Sequence, residues 1–145
     1  MSALSDYLEN QLTDWLLRGQ TFTPPASMYI ALYTVAPTDS SAGTEVSGGS
    51  YARVAVTRSL ANWSGTQSAG STTASSGTGG QSSNNAAITF PAPAANWGSV
   101  VAVAIMDAST GGNMWAYGSL TQAKTVNNGD AAPSFPAGSL TFTWA

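Results

Sequence analysis

The acid–base side chains of this 145-residue chain are seven carboxylates: Asp6, Glu9, Asp14, Asp39, Glu45, Asp107 and Asp130. Two carboxylates facing each other across a cleft, about 5–10 Å apart, are what glycoside hydrolysis requires. Loops can bring together Asp39 with Glu45, or Asp107 with Asp130. Asp107 and Asp130 also have a plainer use, because both stand in turn sequences where Asp bonds its own backbone. With no His and no Cys, no Ser-His-Asp triad, Cys-His dyad or His- or Cys-ligated zinc site can be assembled. No acidic run spaces three oxygen ligands as an EF-hand does. The glycines of residues 77–80 (GTGG) lack the Lys-Ser/Thr that completes a phosphate loop. The expectation is a protein that is not an enzyme, with no cofactor and with no catalytic, cofactor-binding or metal-binding residue.

The cations are four: Arg18, Arg53, Arg58 and Lys124, against a net charge of −3. Scattered in this way they form no basic stripe, which argues against nucleic acid as a partner. Charged residues are 8% of the chain, about a third of the usual share. A surface so poor in charge is covered by Ser, Thr, Asn and Gly or is buried against neighbours, and weak mutual repulsion suits assembly. The longest apolar run, residues 100–106, is far short of the roughly 20 residues that span a bilayer, so no membrane partner is expected. The N-terminus has neither the basic start nor the apolar stretch of a signal peptide, and the expectation is a product made in a cytoplasm.

Residues 2–18 read as one amphipathic helix. Leu4, Leu8, Leu12 and Leu16 recur every four residues, and Tyr7 and Trp15 widen the stripe. Ser2 is the expected N-cap, with Arg18 and Gly19 closing the C-terminus. The stripe can lie on its own domain. It can also pack against sister subunits, with Leu4, Tyr7, Leu8, Leu12, Trp15 and Arg18 as subunit or partner interface, since Tyr and Trp are frequent interface anchors. The expected assembly is a homo-oligomer, a dimer or trimer.

The rest of the chain alternates as strands do. Residues 100–106 form an apolar, β-branched run suited to a strand covered on both faces. Asp107-Ala-Ser-Thr-Gly-Gly112 turns the chain, and residues 114–118 return. Residues 28–34, 51–58, 87–90, 121–126 and 139–144 read as further strands. In the first of these, Met28, Ile30 and Leu32 oppose Tyr29, Ala31 and Tyr33. In 51–58, Tyr51, Arg53, Ala55 and Thr57 oppose Ala52, Val54, Val56 and Arg58, one face wet and the other dry, and in the last strand Leu140, Phe142 and Trp144 point inward. Residues 127–130 (NNGD) are a hairpin-type turn signal. Residues 62–85 are so rich in Ser, Thr and Gly that they form a flexible loop, or a segment ordered by a neighbouring chain. Five Trp and five Tyr fit core packing better than a sugar platform. The fold class is mainly β, an antiparallel sandwich or jelly roll with one N-terminal helix. Residues 1–20 form the helical segment and residues 21–145 the β domain.

Several stretches in order carry a family resemblance: Leu4-Ser-Asp-Tyr-Leu8, Tyr29-Ile-Ala-Leu-Tyr33, Pro37-Thr-Asp39, and residues 44–53 (TEVSGGSYAR). Ala87-Ile-Thr-Phe90, Trp97-Gly98, Asp107 to Gly112, Tyr117-Gly-Ser-Leu120, Lys124 and Gly138-Ser-Leu140 complete it. Together they resemble small bacteriophage virion proteins labelled tail fibre proteins. The resemblance implies a β-sandwich component of the particle. No internal repeat or heptad run marks a long shaft. The expected role is therefore capsid decoration, a cement protein on the head exterior that contacts the major capsid protein or other virion proteins. The alternative is a tail fibre or tail-tip component that binds host glycan.

Overall fold

The structure, a computed structural model, describes residues 2–144. It is mainly antiparallel β with one short helix. The strands are β1 (Ser2–Leu4), β2 (Ser27–Val35), β3 (Thr44–Glu45), β4 (Val54–Thr57) and β5 (Gln81–Ser83). They continue as β6 (Ile88–Thr89), β7 (Gly98–Met106), β8 (Met114–Val126), β9 (Ser134–Phe135) and β10 (Thr141–Thr143). The helix, α1, is Asp6–Leu17.

Six strands make the main sheet, in the order β1-β8-β7-β2-β3, with β4 also paired to β2. The central hairpin is the expected one, with Ile105 opposite Ala116 and Val103 opposite Gly118. Its second arm is longer than expected, because residues 114–118 and 121–126 are one continuous strand. The register shifts between Val100 and Ala102, so Val100, Val103 and Ile105 face one core while Ala102, Ala104 and Met106 face the other side. Both faces of the strand are buried, which is why no polar alternation is visible in this run. On β2 the predicted parity is present, with Met28, Ile30 and Leu32 in the larger core and Ala31 and Tyr33 on the opposite face.

Two small ladders, β5-β10 and β6-β9, lie over the larger core. Phe142, Leu140, Ile88 and Phe90 reach it from that side, each at most 4% exposed. Trp144 does not, being 47% exposed. The turn at residues 127–130 forms, with Asn127 N–H donating to Asp130, but it joins strands that do not pair with each other.

The N-terminal segment departs from the single helix expected from Ser2. Residues 2–4 are a strand on β8, with Leu4 opposite Ala116. The N-cap is Ser5, whose side chain accepts the Leu8 N–H. Backbone pairing to an open sheet edge satisfies more groups at 2–4 than one further helical turn. In residues 62–85 both ends are built into the fold. Trp63 bridges Asn84, Ser64 N–H donates to Ser83 O, and buried Asn84 donates to Phe135 and Pro136 carbonyls. The middle is an exposed set of turns around Gln67, whose amide donates to Ser71, Thr73 and Ala74. No helix among the described residues is long and apolar enough to cross a membrane.

Candidate functional site

The most tightly held charge in the chain is Arg53. Its Nε and Nη2 donate to the two carboxylate oxygens of Glu45, each at 2.7 Å. Nη1 donates to the carbonyls of Ala108 and Gly111. The guanidinium therefore ties β3 to the β7–β8 turn. Its side chain is 7% exposed and that of Glu45 26%, so the pair is bidentate and largely dry. The Glu45 hydrogen bond raises the Arg53 pKa above its ordinary value despite burial. Tyr51 donates to Glu45 at 2.9 Å and accepts the Leu32 N–H at 2.9 Å, and burial pushes its hydroxyl pKa well up. The same turn is fixed by Asp107, which accepts the Asn113 backbone and side-chain N–H groups and the Trp115 indole. Burial raises the Asp107 carboxyl, but these hydrogen bonds outweigh it and hold the pKa below the usual value. At Gly112, φ is +72° and a Cβ would collide with Asp107 Oδ1 and Ala108 Cβ, so glycine is required there.

These contacts dispose of the carboxylate pairs. Glu45 is consumed by Arg53 and Tyr51. Asp107 and Asp130 stand beyond opposite ends of the nine-residue β7, roughly 30 Å apart at about 3.3 Å per residue. Asp39 instead joins Asp6 and Glu9, their carboxylate oxygens within 4.8 Å of one another and all three exposed. Exposed acids this close are common without an ion. The nearby Tyr117 hydroxyl is raised by burial and then by these three charges.

A pocket of about 250 Å³ opens beside α1. Its walls are Leu8 from the helix, Pro24, Met28 from β2, Ile105 from β7, Ala116 from β8 and Phe142 from β10. Trp63, Trp115 and Trp144 add aromatic surface, and the polar side chains are Arg58 and Ser82. Trp144 stacks on Phe142 at 6.0 Å and Phe22 stacks on Trp115 at 5.2 Å, which holds the rim in shape.

The six residues expected at an interface divide along the chain. Leu4 is on β1, half-buried against the core. Tyr7 packs on Trp115, ring centroids 6.3 Å apart. Leu8 is 8% exposed, in the pocket wall, and Leu12 is half-buried. Trp15 is 54% exposed, with Leu16 and Leu17 beside it at 71% and 77%. Arg18 is exposed and pairs with Asp14 at 2.7 Å. The leucine stripe thus starts inside the body and ends outside it. Sequence reasoning missed Arg58 and Trp63 as neighbours of Trp115, because the pair and Trp115 come from separate segments.

A search of the curated proteins finds no match. The family described as podophage GP4 fiber I protein gp80 matches residues 3–143, and the chain belongs to this phage fibre family.

Proposed function

We propose that this chain is a non-enzymatic structural component of the virion, a tail fibre subunit that acts through protein contacts. The observation that carries the reading is the fibre-family match across residues 3–143. The body is best described as a two-layer β-sandwich, the six-stranded sheet on one side and the two ladders on the other. The exposed apolar end of α1 supports docking, since soluble monomers rarely leave three large apolar side chains together in water.

The capsid-decoration reading rests on the compact body and the charge-poor surface, whereas the family name favours the tail. Receptor glycan is the less favoured ligand for the pocket, because a sugar ring needs several polar partners and the lining has only Arg58 and Ser82. Quantitative mass spectrometry of purified particles separates the locations. A tail fibre subunit is present at a small fraction of the major shell protein's copy number. A copy number close to that of the shell protein contradicts the tail reading.

A further inference from the structure

The pocket beside Leu8 is lined by three of the chain's five tryptophans, Trp63, Trp115 and Trp144. Its polar side chains are Ser82 and Arg58. The Ser82 hydroxyl already donates to the Ser64 carbonyl, so it has no proton to offer a ligand. Arg58 donates its backbone N–H to the Ala26 carbonyl. The two ion pairs among the described residues are Arg18–Asp14 and Arg53–Glu45, which leaves the Arg58 guanidinium without an anion. Phe142 and Trp144 stack 15° from parallel, and Trp63 meets Phe142 edge-to-face. These contacts brace the aromatic wall, so the pocket is formed before a ligand arrives.

Such a lining sorts ligands by chemistry. A body carrying several hydroxyls or ring nitrogens leaves them unpaired here, and each unpaired group weakens binding. A hydrocarbon body gains with every methylene it takes out of water. Arg58, exposed to water yet part of the wall, selects for an anion at one end of that body. Apolar cavities of about 150 Å³ take up benzene. At about 250 Å³, this one holds roughly eight to ten carbons by the same measure. We propose that the pocket binds a single-chain anionic amphiphile, its hydrocarbon chain lying among the tryptophans and its carboxylate, sulfate or phosphate head on Arg58. Such a site is additional to the structural role and independent of where the chain sits in the particle.

Octyl sulfate, kept below its micelle-forming concentration, is the probe, and tryptophan emission with titration calorimetry of the full chain is the readout. One octyl sulfate binds per chain, about fivefold more tightly than 1-octanol, and octyltrimethylammonium binds more weakly than either. Arg58→Gln removes the preference for the anion and leaves the 1-octanol affinity unchanged, which separates a lost head contact from a damaged fold. Trp144→Ala, at an exposed position on the rim, weakens all three probes. No binding of octyl sulfate, equal affinity for the anionic and cationic probes, or a parent-like preference in Arg58→Gln overturns the proposal. So does binding confined to vesicles of an anionic diacyl phospholipid, because the ligand is then a membrane surface. None of these results bears on whether the chain is in the particle, which mass spectrometry decides separately.

Discussion

Arg53 shows how one side chain fixes three segments of backbone. Its four donated hydrogen bonds reach β3 and the β7–β8 turn, and a buried pair stripped of one partner leaves an uncompensated charge. Arg53→Met is expected to cost about 2–3 kcal/mol in urea denaturation, below the range for fully enclosed pairs because Glu45 keeps partial contact with water. Arg53→Lys recovers little of it, since an ammonium cannot reproduce the fork. The burial of this side chain was not legible from its sequence position. Alternation only divides the strand into a wet and a dry face, and it is β3, a two-residue strand inside a Gly-rich loop, that brings Glu45 across to enclose it. Asp107 was read correctly as a turn residue, because the chemistry that uses it is local. Its folded-state pKa is depressed. The stability it contributes is therefore present above the ordinary carboxylate value and is lost as the pH falls through the lower folded value. Asp107→Asn should lower stability at neutral pH and flatten the acid limb of the stability curve, measured by denaturation across that range. An acid limb identical to that of the parent chain contradicts this role.

The helix illustrates how a correct periodicity can carry wrong boundaries. Leu4, Leu8, Leu12 and Leu16 share a spacing of four, yet Leu4 belongs to β1, where its pairing with Ala116 satisfies the open edge of β8. Asp6 and Glu9 in the first turn suit a helix capped by Ser5, and the pairing of residues 2–4 with the distant β8 strand settles the start there. Ser5 is buried, caps Leu8 N–H and donates to the carbonyl of Met114. Ser5→Ala removes the cap and leaves these groups unpaired, so a loss of about 1–2 kcal/mol is expected in thermal or chemical unfolding. Ser2→Ala, which touches Thr143 instead, should cost less. Equal losses would return the cap to the position expected from the helical pattern. The central hairpin was legible because its apolar run and its Asp-Gly-Gly turn carry their own physics. The β5-β10 ladder was not, since Gln81–Ser83 has no apolar signature and owes its order to Phe142 and the buried Asn84 network.

Across the whole molecule, the mainly antiparallel β class and the helix followed from pattern, whereas the pocket depended on which segments the topology brings together. Arg58 with Trp63, Trp115 and Phe142 lie on three stretches whose adjacency no local rule encodes. The same topology leaves one end of α1 packed and the other in water, an arrangement that a protein living alone would have little reason to keep. A particle component has such a reason, and the fibre family supplies the context. The most direct measurement is electron microscopy of intact particles decorated with a gold-labelled antibody against this chain. Label confined to tail appendages is the predicted result; label spread over the head, or absent from the particle, contradicts the account.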